Sequence, residues 1–263
     1  MLHPEAPQGQ IDANPAVVAL LSAKRWFGFD LDDTLHEFSR ASAQASQSVF
    51  GIIVEFIASH PDTETSTKAT IDDLEATYRD IRRSKTANAF TDGRTSDDYR
   101  KERFSHLLEA HGLKPSSELL EQLLLAYRSS LRAALTLKPG ARQLLEGLKA
   151  LGKKVIVVTE GPKDAQEWTI AELGLEPFID ILVTTNEVGL SKVDGLFSAV
   201  LHKYNIFPGD MVYVGDNERR DIVPARAARI DTVLYNQKDG CQFHDPHHLQ
   251  VNSLLKLEHL ISC

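Results

Sequence analysis

The chain has 263 residues, 42% hydrophobic and 25% charged, the proportions of an ordinary globular protein with room for one large core or two modest ones. Lys and Arg total 29 against 37 Asp and Glu, and the formal charge of −8 speaks against nucleic acid or an anionic membrane as main partner, since both require a basic face. Two cysteines, Cys241 and the final Cys263, do not make a disulfide framework, so a reducing, cytoplasmic address is expected.

Residues 1–22 carry Pro4, Pro7 and Pro15 and no basic start. Their apolar run, Ala16 to Leu21, is too short for a membrane span and lacks the flanks of a signal peptide. A loosely ordered lead-in with one helical turn is expected there. Residues 25–30 read as a buried strand, and Trp26-Phe-Gly-Phe-Asp30-Leu-Asp32-Asp33-Thr34 ends it abruptly in carboxylates. Burying charge is costly unless it is paired or bound to a cation. Two aspartates two residues apart at a strand end therefore point to a metal, a developing charge, or both.

The next hundred residues are helical in period. Val49, Ile52, Ile53, Phe56 and Ile57 form one apolar stripe, and Leu74, Tyr78 and Ile81 a second. Phe104, Leu107 and Leu108 make a third, and Leu120, Leu123, Leu124, Tyr127 and Leu131 a fourth. His60 to Thr70 is polar and Thr-rich, hence loop, as is the segment from Lys85 to Ser96, which has basic residues at both ends. Arg79, Arg82 and Arg83 read as a solvated helix face from which one side chain is able to reach inward. Residues 38–136 thus form an all-helical insert.

After Pro139-Gly140 strand and helix alternate. Apolar runs at Val155–Val158, Ile179–Thr184, Met211–Val214 and Thr232–Tyr235 are separated by helices over Asp164–Leu173, Asp194–Tyr204 and Asp221–Arg229. Pro224 fits only the first turn of the last of these. Alternation of this kind predicts an α/β fold, a parallel sheet with helices on both faces and ligands beyond the carboxyl ends of the strands. Thr159-Glu160-Gly161, Lys192 and Gly215-Asp216 all stand just after predicted strands, with Asp221 five residues beyond Asp216. Cys241, His244, His247 and His248 have a faint metal-ligand look, but with one cysteine and an adjacent Asp-Pro a solvated loop is expected.

In order, Asp30-x-Asp32-x-Thr34, Thr159, Lys192 and Gly215-Asp216-x4-Asp221 resemble the four motifs of the haloacid dehalogenase-like (HAD) superfamily, in its phosphatase form, over residues 25–235. The resemblance implies a Rossmannoid core from residues 23–37 and 137–263, with residues 38–136 as a helical cap between the first two motifs. It implies that Asp30 is a nucleophile that forms an aspartyl-phosphate, and that Asp32 protonates the leaving alcohol and then activates water. It implies Mg2+ on the Asp30 carboxylate, the Asp32 backbone carbonyl and Asp216, with Asp221 orienting Asp216 or a metal-bound water. Thr159, Glu160, Gly161 and Lys192 would surround the phosphate, Asp33 would be structural, and Thr34 would support the turn. Glu160 stands where the family often has Asn, either pointing outward or reading a substrate group. Lys192 precedes Val-Asp-Gly where Pro-Asp-Pro is common, and Pro224 and Arg229 replace glycines.

Within the cap, Lys85, Asn88 and Arg94 are the specificity candidates. The expected activity is a magnesium-dependent phosphatase acting on a small phosphomonoester, nucleotidase-like in its Thr159, Gly161 and Gln166. A phosphomutase using the same chemistry and a non-catalytic binding module of the same shape are the alternatives. A dehalogenase is disfavoured, because halide leaves unprotonated and needs no acid at Asp32.

Overall fold

The computed structural model describes residues 14–59, 69–85, 90–237, 242–245 and 248–262. Helix α1 (Pro15–Ala23), capped by the Asn14 side chain, leads into strand β1 (Trp26–Phe29). Four helices follow without an intervening strand: α2 (Phe38–Ser59), α3 (Ile71–Lys85), α4 (Ser96–Ala110) and α5 (Ser117–Ala134). The chain then alternates through α6 (Ala141–Ala150), β2 (Lys154–Thr159), α7 (Lys163–Glu172), β3 (Ile181–Thr184), the single turn α8 (Thr185–Val188) and α9 (Leu196–Lys203). It ends with β4 (Met211–Gly215), α10 (Val223–Ala227), β5 (Asp231–Tyr235), β6 (Gln242–Asp245), β7 (His248–Val251) and α11 (Leu254–Ser262).

The strands form one sheet in the order β3-β2-β1-β4-β5-β7-β6, parallel except for β6, which runs antiparallel to β7. Alternate residues serve the two faces, as strand geometry requires. Phe27, Phe29, Val155, Val157, Val212 and Val214 pack with leucines of α6 and α11 on one side. Ile156, Val158, Met211 and Tyr213 meet Leu196, Phe197 and Val200 of α9 on the other. Both faces are therefore dry, which is why these strands read as unbroken apolar runs.

The four-helix insert has a core of its own, built on Phe50, Ile53, Leu74, Phe104, Leu107 and Leu123. It joins the sheet domain at two chain crossings that pair with each other. Glu37 N donates to Thr136 O and Lys138 N to Leu35 O, both at 2.9 Å, and Lys138 Nζ lies 2.7 Å from the Glu37 carboxylate. No helix among the described residues is long and apolar enough to cross a membrane.

The sequence reading differs from the structure mainly near the C-terminus. The segment around His244 and His248, expected as loop, contributes two strands, residues 248–251 beside β5 and residues 242–245 at the sheet edge, and α11 closes the sheet with Leu254, Leu257, Leu260 and Ile261 buried. Cys241 and His247 lie outside the described residues. The lead-in over residues 15–23 is a helix of nine residues rather than one turn, held by Val17 and Leu21 in the main core. The helix expected over 221–229 is a π-type turn (Glu218–Ile222) running into α10, with Pro224 in its first turn.

Candidate active site

Every residue that the motifs pick out lies at the carboxyl ends of β1 to β4. Asp30 follows β1, and its N–H still donates to Val214 O of β4 at 2.9 Å, so the sheet ladder fixes its backbone. Thr159 closes β2, Lys192 follows β3, and Gly215 closes β4 ahead of Asp216. Asp221 folds back beneath that strand end, where a Cβ on residue 215 would lie 2.5 Å from its carboxyl carbon. Only glycine leaves Asp221 that space.

Lys192 is the centre of the cluster. Its Nζ lies 2.5 Å from Asp30 Oδ1 and 2.5 Å from Asp221 Oδ1, with the lysine side chain 3% exposed. Asp221 also accepts Asn217 N–H at 3.1 Å and the Tyr213 hydroxyl at 3.2 Å. Its hydrogen bonds thus go to Lys192, Asn217 and Tyr213, and it bears on Asp216 through charge alone.

The charges do not balance. Burial pushes the Asp30 carboxyl well above its ordinary pKa; Lys192 opposes this, while Asp221 and Asp32 add to it. Asp216 is exposed at its rim, yet partial desolvation at the strand end raises it to about 6, helped by Asp221 and Asp33. Burial works against the Lys192 charge, but Asp30 and Asp221 outweigh it and raise its pKa. One ammonium therefore faces three carboxylates. Oxygens of Asp30, Asp216 and Asp221 all lie within 4.8 Å of one another, a hard-oxygen donor set with surplus negative charge, which fits a divalent cation such as Mg2+.

Asp32 points elsewhere. His36 Nε2 lies 2.9 Å from Asp32 Oδ1, and the imidazole is fully buried with no partner for Nδ1. Asp33 adopts a left-handed backbone (φ 61°) and its carboxylate accepts Ser39 N–H at 2.8 Å, capping the start of α2. Thr34 is buried with Oγ1 unpartnered, so it supports the turn by packing rather than by a hydrogen bond. Thr159 Oγ1 donates to Gln166 Oε1 at 3.4 Å, and Gly161 N–H to Thr185 Oγ1 at 3.3 Å, both long enough to be exchanged for a better acceptor.

Glu160 corrects the sequence expectation. Neither of its carboxylate oxygens is offered to a phosphate: one accepts Lys192 N–H at 3.0 Å and the other pairs with Arg220. It ties the loop after β2 to the loop after β3 and to the turn after β4. Arg220 and His36 carry no motif signal, and only the fold brings them here.

Between insert and sheet lies a cleft of about 370 Å³, floored by Asp32, Asp33, Glu160 and Gly161 and roofed by Tyr78, Arg82, Arg100, Arg103 and Tyr127. Arg94 is not part of it: its guanidinium pairs with Asp92 and Glu102 and lies over the Tyr99 ring at 4.2 Å. Asn88 lies outside the described residues, and Lys85 ends α3. Insert and sheet domain also touch beside the cleft. Ser96 Oγ and N–H bond the Asp164 carboxylate at 2.7 and 3.0 Å, Arg132 pairs with Glu172 at 2.8 Å, and Arg128 lies over Trp168.

Comparison with known proteins agrees with this arrangement. The glyceraldehyde 3-phosphate phosphatase of Methanocaldococcus jannaschii is 26% identical over 245 residues, 89% of this chain and 95% of that protein. The ribulose-1,5-bisphosphate 5-phosphatase of Halopiger xanaduensis is 26% identical over 212 residues, 80% of this chain and 84% of its own. The crystal structure of the Bacillus subtilis HAD-hydrolase YfnB, solved with magnesium bound, superposes with a TM-score of 0.68 at 24% identity, covering 91% of this chain and 99% of that one. Residues 24–229 match the haloacid dehalogenase-like hydrolase family, and the chain belongs to it.

Proposed function

We propose that the protein is a magnesium-dependent phosphatase that hydrolyses a small phosphomonoester through an aspartyl-phosphate on Asp30. The observation that carries this reading is the buried Asp30–Lys192–Asp221 cluster at the strand ends, two residues from Asp32, which lines the cleft. Phosphatase relatives that span most of this chain support it.

Asp30 attacks phosphorus with a carboxylate oxygen, and the ester oxygen leaves on the opposite side. Lys192 holds a phosphoryl oxygen, aided by the Thr159 hydroxyl and the Gly161 N–H once these release Gln166 and Thr185. Asp32 gives a proton to the departing alcohol and afterwards takes one from the water that cleaves the acyl phosphate. His36 holds Asp32 toward the cleft from a buried position. Asp30, Asp216 and the Asp32 carbonyl would hold Mg2+, with Asp221 close by; the ion offsets the repulsion between carboxylate and phosphate. Glu160 positions Lys192 through its backbone. Residues 38–136 act as the cap that chooses the substrate.

Two measurements test this. Asp30→Asn abolishes turnover of every phosphomonoester and leaves no acid-stable, hydroxylamine-sensitive phosphoprotein. Excess EDTA stops the wild-type enzyme and magnesium restores it. Full turnover in EDTA, or a phosphoprotein formed by Asp30→Asn, refutes the assignment.

A further inference from the structure

The two walls of the cleft differ in charge. Among the described residues that line it, carboxylates come only from the sheet domain, and each already has a partner: Asp32 with His36, Asp33 with Ser39, Glu160 with Arg220. The described residues of the helical wall contribute Arg82 from α3, and Arg100 and Arg103 from α4, and no Asp or Glu. Arg100 and Arg103 are three residues apart, so they share a helix face with Ser96 and Tyr99, which line the same cleft.

These guanidinium groups are held in place. Arg100 lies over the Tyr127 ring at 5.0 Å, bonds Ser96 Oγ at 2.7 Å and pairs with the Asp97 carboxylate at the cleft margin at 3.1 Å. Arg103 lies over the Phe90 ring at 5.5 Å and has no carboxylate partner among the described residues. All three arginines line the cleft together with Tyr78. Arginine so arranged presents a planar fork suited to carboxylate or phosphate. A chain of net charge −8 thus sets three arginines on one wall of the cleft, opposite the wall that holds Asp32. The transferred phosphoryl group goes to the strand ends beneath Asp32 and Gly161, which line the floor, so the roof faces the other end of the substrate.

We infer that the cleft selects phosphomonoesters whose alcohol half carries a second anionic group, a carboxylate or a further phosphate, bound by Arg100 and Arg103 with Arg82 beside them. The inference rests on the phosphatase reading above. Neutral sugar or alkyl phosphates fill the floor and offer no anion to the Arg103 guanidinium.

The test compares matched substrates. Glycerate 3-phosphate and glycerol 3-phosphate differ by a carboxylate in place of a hydroxymethyl group, and fructose 1,6-bisphosphate and fructose 6-phosphate differ by a phosphate. We expect kcat/KM to favour the more anionic member by at least about tenfold in one arm or both, the scale of one well-placed charge interaction. The arm that shows the preference names the anion. Arg103→Met should bring the ratio down toward unity, Arg103→Lys should keep part of it, and added salt should shrink it. A ratio near unity in both arms, or one unchanged in Arg103→Met, overturns the inference. Should the wild type hydrolyse none of the four compounds, the phosphatase reading fails, and calorimetric binding to Asp30→Asn decides this one separately. Tighter binding of the more anionic member, lost in Asp30→Asn/Arg103→Met, upholds it, and equal binding overturns it.

Discussion

Lys192→Met keeps an unbranched side chain as far as the Cε position and removes one charge from between two buried carboxylates. Both Nζ contacts are 2.5 Å, and the three side chains are 3%, 8% and 2% exposed, so water cannot replace the lost ammonium. Removing one partner of a buried ion pair costs about 3–5 kcal/mol, a large share of the roughly 5–15 kcal/mol that holds a domain folded. The sign of the pH dependence follows from Asp30, whose pKa burial already raises and which loses its main opposing charge in the variant. A carboxyl with a raised folded pKa destabilises most above that pKa and recovers as the pH falls through it. Urea unfolding in EDTA should therefore show the full loss at pH 8 and a smaller one at pH 5.5. Adding Asp221→Asn to Lys192→Met should restore part of the stability, since one of the two stranded charges is gone. A loss under about 1 kcal/mol at pH 8, or one equal at both pH values, would refute the view that Lys192 balances buried charge.

Asp32→Asn should cut turnover of an alkyl phosphate by ~10²–10⁴. With nitrophenyl phosphate, whose leaving group needs no proton, it should give a burst and a trapped phosphoenzyme; equal losses on both substrates without an intermediate would exclude Asp32 as the acid–base group. Asp180 bonds Lys149, Lys154 and the Val155 N–H; burial pushes its carboxyl up, but these donors hold it at about 2. Its contribution, about 1 kcal/mol after solvent screening, is present at neutral pH and lost as the pH falls from 4 toward 2, so the melting difference between wild type and Asp180→Asn should vanish in acid. Arg229 sits at φ 64°, where a side chain costs about 1–2 kcal/mol that glycine does not incur. Arg229→Gly should raise stability by about 0.5–1 kcal/mol, and an unchanged or lower urea midpoint would contradict this.

The alternation of apolar runs after Gly140 announced the sheet domain, because strands covered on both faces must be apolar along their whole length. The stripes built on Leu74, Phe104 and Leu123 announced the helical insert for a similar reason. What escaped was structure decided by neighbours. Gln242–Asp245 and His248–Val251 are short and half polar, and they are strands because β5 offers a partner to β7, which in turn offers one to β6. Asp30, Lys192 and Asp216 follow apolar runs and so were legible as strand-end residues. The Lys192–Asp221 contact spans 29 positions and the Arg220–Glu160 contact 60, and no period or motif encodes such a pairing. Arg94 was read as facing the substrate because it is a cation in a polar loop, yet Asp92 and Glu102 hold it. Arg229, noted only as a departure from a glycine, turns out to carry the backbone angle that glycine would serve.

The paired crossings at Glu37 and Lys138 have a kinetic consequence. Two short segments bound side by side bend together about a common line, so the helical insert has one easy direction of travel. The contacts it would break on lifting are the exposed Arg132–Glu172 pair, worth roughly 0–1 kcal/mol, the part-buried bonds of the Ser96 N–H and Oγ to Asp164, worth roughly 1–2 kcal/mol each, and Arg128 over Trp168. The closed arrangement is thus favoured by only a few kcal/mol, within reach of thermal opening on the microsecond-to-millisecond scale. A ligand that touches both walls of the cleft bridges the moving parts and shifts that population toward the closed form in proportion to its contacts with the roof. Residence time in the cleft, and with it the interval in which water is kept from Asp30, would then be set by the far end of the substrate rather than by the phosphoryl group that reacts.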